Sequence, residues 1–429
     1  MKKCAVFLLL IQLFSLFLTF APVRVSASEL PDTGKVRSVY VYNADTDVVL
    51  YEKASDARVY PASTVKMMTG LIAVEHFKGD YDRTVVITDE LLGGFKGRKI
   101  GLKNGEVVTV RDLIYATVCG GANDAANVLA ALVSENHDDF IELMNDRAAG
   151  FGMENTHYTN AYGFADPGMY TTAQDVLKLA LVCKKNDTFM TVCSAVSYNI
   201  PETNMNKERY VFNSNYLISG NVEKQYRNAK ANGMNAGSTE EQGTVLVTTT
   251  SQNGVNNVYV LLGGEYDDDN LYAYRTANAL IKWADDSFGY RRIVDKSEMI
   301  REVRVNLSSN TDYVIISPER SIEYYLPADT NIEKAITREI TLESEEFDAP
   351  IEAGQQLGYM VVKYQGKEIG STPLVAKASV DRNGFLYLLA RIKTWTHSEN
   401  FRLVIIVAVA ILALWAIISV YKKLRPRRR

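Results

Sequence analysis

The sequence predicts a mixed α/β (α+β) body with helices on a mixed sheet, then a small all-β sandwich, then a C-terminal transmembrane helix. Three features carry that expectation. Helical and strand-like periods interleave from Arg37 to about Tyr290. From Glu302 to Asp381 only short alternating runs remain, spaced by turns, as in a sandwich. Leu403 to Tyr421 is a 19-residue apolar run without a charge, long enough to span a hydrocarbon core of ~30 Å. A chain of 429 residues has room for two or three domains at ~150 residues each.

The elements follow in order. Met1-Lys2-Lys3, an apolar run to Ala21 and the small residues Val25-Ser26-Ala27 form a signal-peptide pattern over residues 1–27, with cleavage after Ala27. Arg37–Leu50 alternates as short strands around a turn at Asn43–Asp47. Ser63–Phe77 has helical spacing, with Val65, Met68, Thr69, Ile72 and Phe77 on one side. Arg111–Val133 reads as two helices around Cys119-Gly120-Gly121, and Asp138–Phe151 and Thr172–Lys184 as two more. Val245–Thr250 and Val258–Gly263 are strands joined through Ser251–Gly254, and Leu271–Trp283 is a helix. The body is thus residues 28–291 and the β domain 292–382. Residues 383–402 form a membrane-proximal linker, in which Phe385–Ile392 suits either a short helix at the membrane or ordinary packing. The membrane helix occupies 403–421 and a basic tail 422–429. Six cations in that tail place it on the cytoplasmic side, and the body outside, by the positive-inside rule.

Composition excludes several functions. With 47% hydrophobic and 23% charged residues, the chain is not disordered. Residues 28–401 hold all 51 acidic residues but 37 of the 47 basic ones, a net charge of −14 that argues against nucleic-acid binding. Cys119, Cys183 and Cys193 are too few for a disulfide framework; Cys183 and Cys193 could pair or be buried thiols. Four histidines with no HExxH spacing imply no metal, and no nucleotide or haem motif implies a cofactor.

The chemistry concentrates at Pro61-Ala62-Ser63-Thr64-Val65-Lys66-Met67-Met68-Thr69. Residues three apart at a helix start share a face. A serine hydroxyl is a weak nucleophile and needs a base, which a lysine provides once burial and nearby cations lower its pKa. The helix N-terminus favours a developing oxyanion.

This string resembles the nucleophile motif of the serine D-alanyl-D-alanine carboxypeptidases, the low-molecular-mass penicillin-binding proteins of peptidase family S11. Further resemblances follow in order: Gly101–Gly105 and Asp112-Leu113, Asn123-Asp124-Ala125-Ala126, Gly152–Tyr158, Tyr170–Asp175 and Asn213–Leu217. They cover about residues 36–290, and Gly366–Gly370 with Pro373-Leu374 is similar to the family's C-terminal domain. The resemblance implies a penicillin-binding/β-lactamase-like transpeptidase fold. It also implies an acyl-enzyme on Ser63, Lys66 as base, and Asn123 holding Lys66 and the substrate amide. The oxyanion hole would be the backbone N–H groups of Ser63 and Ser238. The implied partners are peptidoglycan stem peptides as substrate, β-lactams as covalent inhibitors, and the membrane through the C-terminal helix.

Two motifs depart from the family. Ser-x-Asn reads Gly121-Ala122-Asn123, and Lys-Thr-Gly reads Asn235-Ala236-Gly237. The hydroxyl that relays a proton and the cation that meets the substrate carboxylate are both missing. Losing a positioned charge costs on the order of 2–4 kcal/mol. Asn235, Gly237 and Ser238 are the expected substrate-binding string. Arg275 lies where the family often carries a carboxylate-binding arginine, whereas Lys230 would face away from position 235 on a regular strand. His157 and Asp175 read as structural, and His76 as exposed. Two functions stay open: a carboxypeptidase trimming stem pentapeptides, or a catalytically weak relative that binds or regulates the wall. A β-lactamase fits less well, given the β domain, the membrane tail and no obvious activating Glu.

Overall fold

The computed structural model describes residues 29–220, 223–239 and 242–424. The expected signal peptide and residues 425–429 of the basic tail lie outside the described residues. Packing divides the chain between Gly289 and Tyr290, with Pro327–Asp329 returning to the first unit.

The first unit is built on a five-stranded sheet in the order Val48–Lys53, Val36–Asn43, Val255–Gly264, Gly243–Gln252, Ala231–Thr239. Its ladders are all antiparallel. The central strands carry Val245, Leu246, Val247, Val258, Val260 and Leu262 in the core, β-branched or apolar on both faces because helices cover the sheet. The Asn253-Gly254 turn has both residues at positive φ, as a tight hairpin between twisted strands requires. The strands run further into the loop than their apolar cores, closing on that dipeptide.

The helix Val65–His76 runs through the middle of the unit. Val65 to Val74 are all buried, so the helix is enclosed around its whole circumference rather than along one stripe, with Lys66 and Thr69 its polar members. The helices Val110–Val118, Asn123–Ser134 and Ala173–Lys184 pack against it. Thr109 and Asp112 form a capping box at the first of these, and Thr172 caps the last through the Asp175 N–H. Tyr272–Ser287 lies on the sheet, with Ala273, Ala277, Leu280 and Ile281 facing inward. The helix Asp187–Ser194 completes the unit; no sequence pattern had marked it.

The second unit contains a six-stranded sheet ordered Ile336–Leu342, Gln356–Tyr364, Lys367–Ala376, Tyr313–Pro318, Arg301–Asn306, Glu346–Asp348. A ribbon pairs Phe288–Val294 with Ile322–Pro327. Two helices follow. Gly384–Thr396 starts at Asn383, whose side chain accepts from the N–H groups of Phe385 and Leu386, and none of its residues is buried. Glu399–Leu424 holds a 22-residue stretch, Glu399–Val420, with an 18-residue window of mean hydropathy 3.1; Trp395 of the preceding helix packs edge-on against Phe401 at its start. By length and composition that stretch suffices to cross a membrane.

Candidate active site

The nucleophile candidate sits on a constrained turn. Ala62–Thr64 is a single 3-10 turn leading into the Val65 helix, and Ala62 has φ +46°, a left-handed conformation that costs a non-glycine residue on the order of 1–2 kcal/mol. Two glycines let other segments approach. A Cβ at Gly163 would lie 1.8 Å from the Ala62 carbonyl oxygen. A Cβ at Gly237 would lie 2.6 Å from Ser63 Cβ and 3.0 Å from its Oγ. The strand Ala231–Thr239 therefore runs directly against the serine because position 237 has no side chain.

Lys66, one turn on, puts Nζ 3.4 Å from Ser63 Oγ and donates to the Tyr162 carbonyl at 2.6 Å. It is 4% exposed and has no carboxylate partner among the described residues. Burial, with the Arg98 charge adding to it, brings its pKa down to about 7. An amine that spends one N–H on Tyr162 and is half deprotonated at neutral pH has a lone pair for the serine proton.

Ser63, Lys66, Asn123, Gly237 and Ser238 all line one cleft of about 290 Å³. Its other lining includes Arg98, Tyr162, Ser214, Tyr216 and Tyr274. Tyr274 stacks between Tyr216 and Tyr226 at 5.3 and 5.4 Å. Asn123 does not hold Lys66, contrary to the expectation. Its amide donates to the Lys96 carbonyl and its backbone N–H to Arg98 O at 2.7 Å, because the 96–98 segment lies across it. Asn235 is 1% exposed and does not line the cleft; neither amide atom has a partner among the described residues. Arg275 is exposed and lies outside the cleft lining, on the outer side of its helix near Tyr272. Lys230 is paired with Asp285.

Gly121 stands at φ +72°, and a Cβ there would meet Ser214 Cβ at 3.5 Å and Oγ at 3.7 Å. The Ser214 hydroxyl thus occupies the space beside the missing motif serine, buried and without a partner among the described residues. Ser214 is held by its N–H on Cys119 O and by Asn213, whose amide donates to Cys193 and Ala195.

Sequence reasoning missed Arg98, Ser214 and Asp124. The Asp124 carboxylate, fully buried, accepts from the N–H groups of Ile100, Gly101, Leu102 and Ala125 at 2.9–3.1 Å. It pins the loop that carries Arg98. Only the offset of Asp124 after Asn123 hinted at it. Asp175 accepts from Asn155 N–H, Thr156 Oγ1 and Lys178 Nζ, a structural role, and His76 is exposed. Cys119, Cys183 and Cys193 are free and buried; burial pushes the Cys119 and Cys193 thiols up to about 12. Among the described residues no cluster could hold a metal ion.

Comparison with known proteins shows the family and the fold. The chain is 25% identical over 388 residues to the D-alanyl-D-alanine carboxypeptidase DacF of Bacillus subtilis, covering 89% of this chain and 96% of that one. It is 27% identical over 395 residues to DacC of Escherichia coli, a D-alanyl-D-alanine carboxypeptidase, covering 85% and 90%. The crystal structure of penicillin binding protein 5 from Haemophilus influenzae shares the fold, with a TM-score of 0.58, 23% identity, and coverage of 82% of this chain and 99% of that one. Residues 288–382 match the C-terminal domain of penicillin-binding protein 5. Residues 25–265, more than half the chain, match the D-alanyl-D-alanine carboxypeptidase family, and the chain belongs to it.

Proposed function

We propose that this chain is a serine D-alanyl-D-alanine carboxypeptidase that removes the terminal D-alanine from peptidoglycan stem pentapeptides. The observation that carries the reading is Lys66, buried, held near neutrality and 3.4 Å from Ser63 Oγ. Ser63 Oγ attacks the carbonyl carbon of the penultimate D-alanine while Lys66 Nζ takes its proton. The backbone N–H groups of Ser63 and Ser238 receive the oxyanion. The C–N bond breaks, the proton passes to the leaving amine, and free D-alanine departs. Water then gives a proton to Lys66 and adds to the acyl carbon, the C–Oγ bond breaks, and Lys66 returns the proton to Ser63 Oγ.

β-Lactams, whose strained amide presents the same acyl carbon, acylate Ser63 on this reading. The apolar helix anchors the chain, with the six-cation end inside and the catalytic unit outside.

D-Alanine release from a pentapeptide ending in D-Ala-D-Ala tests the activity, with Ser63→Ala as control. Release that disappears in the control is expected. No release from either protein overturns the reading in favour of a wall-binding role.

A further inference from the structure

A peptide ending in D-alanine carries a carboxylate into the cleft, and the family's lysine is absent at Asn235. The described residues lining the cleft contribute two cations, Lys66 and Arg98, and no carboxylate. Lys66 is committed to Ser63 and Tyr162. Other cations near that wall are engaged elsewhere: Arg209 on Glu106, Lys230 on Asp285, and Lys96 over the Phe164 ring at 5.2 Å. The Arg98 side chain has no ion pair among the described residues and is exposed to the cleft.

Its backbone is fixed on both sides. The Arg98 carbonyl accepts from Asn123 N–H, the Lys96 carbonyl from the Asn123 amide, and Asp124 holds the next three N–H groups beyond Lys99. The Arg98 charge also acts on Lys66 and Tyr274, which line the cleft, and on the buried Cys119 behind it. The guanidinium thus lines the cleft from a clamped backbone, without an ion pair among the described residues.

We propose that Arg98 is the carboxylate receptor of this enzyme, its guanidinium binding the substrate's C-terminal carboxylate in place of the missing motif lysine. This rests on the function proposed above. A guanidinium fork meets a carboxylate through two parallel N–H···O bonds, which an ammonium does not reproduce.

The test is binding without turnover. The full chain in detergent micelles carries Ser63→Ala, and two stem pentapeptides are titrated in: one with a free C-terminal D-alanine, one with a C-terminal carboxamide. The free acid is expected to bind ~10- to 100-fold tighter, the range for a charge-assisted pair. Adding Arg98→Ala removes that preference while carboxamide binding persists, which also shows the cleft intact. Arg275→Ala keeps the preference. If Arg98→Ala binds neither peptide, Arg98→Gln decides on the same criterion. A preference that survives Arg98→Gln, one that vanishes in Arg275→Ala, or none in the Ser63→Ala parent overturns the proposal. D-Alanine release by the chain with Ser63 intact is scored separately. Release together with an Arg98-independent preference defeats this inference alone, and an Arg98-dependent preference without release defeats the hydrolytic reading alone.

Discussion

If Lys66 is the base for Ser63, as proposed, its lowered pKa predicts where the acylation rate changes with pH. A lysine in water titrates near 10.5 and leaves ~1 molecule in 3000 neutral at pH 7. Burial among the Val65 helix, Tyr162 and the cleft wall brings Lys66 to about 7, so about half the molecules hold a usable lone pair at pH 7. The difference corresponds to roughly 5 kcal/mol between the two charge states. The acylation rate of the full chain by a fluorescent penicillin is to be followed from pH 5 to 9, with Ser63→Ala as blank. The expected profile climbs about tenfold per pH unit below 7 and flattens above 8. A rate that is flat down to pH 5, or that still climbs tenfold per unit between pH 8 and 9, refutes Lys66 as a base tuned by burial.

The same shift has a stability consequence of definite sign. The folded-state pKa lies below the unfolded one, so between about pH 7 and 10.5 the unfolded chain holds a proton that the folded chain lacks, and stability rises with pH across that window. Lys66→Met should abolish that slope in urea unfolding curves and be the more stable protein at pH 7, by up to ~5 kcal/mol. Gly237→Ala puts a methyl 2.6 Å from Ser63 Cβ; a loss of acylation of at least ~100-fold is expected, with ~1–3 kcal/mol of stability, read by penicillin labelling and thermal melting. Gly121→Ser does not restore the family motif, because position 121 needs φ +72°; it should cost ~1–2 kcal/mol without raising D-alanine release. Asp124→Ala strips four backbone N–H groups of their acceptor and should cost on the order of 3 kcal/mol while accelerating hydrogen exchange at Ile100–Leu102.

Much of the fold was legible because the elements that frame the site are strongly periodic. The buried helix after Ser63 and the helix pair around Gly120-Gly121 announce themselves by apolar spacing. The Ser63–Lys66 pair was legible because one helical turn fixes which residues share a face. Ala231–Thr239 was not legible as a strand from its own residues. Gly233, Gly237, Asn232 and Asn235 all disfavour strands, and pairing with Gly243–Gln252 overrides them. Arg98 was invisible for a different reason. A lone arginine in a loop has no period, and its meaning comes from Asp124 and Asn123 clamping the loop against the cleft. Arg275 misled because position along a helix does not say which way a long side chain leaves it.

The strand that faces Ser63 is also the last of its sheet, and this has a consequence for which bond is cut. A terminal strand offers main-chain donors and acceptors to any extended peptide, with little regard for side chains. Ala236 and Gly237 add almost no side chain of their own along that margin. Such a rail permits a guest to slide by two residues, ~7 Å, and pair as well as before. Something at the end must stop it. On the proposal above, the Arg98 cation pairing with the terminal carboxylate acts as that stop. It turns an indifferent strand edge into a ruler that counts inward from the last carboxylate, so that the scissile carbonyl on Ser63 is always one residue from the end.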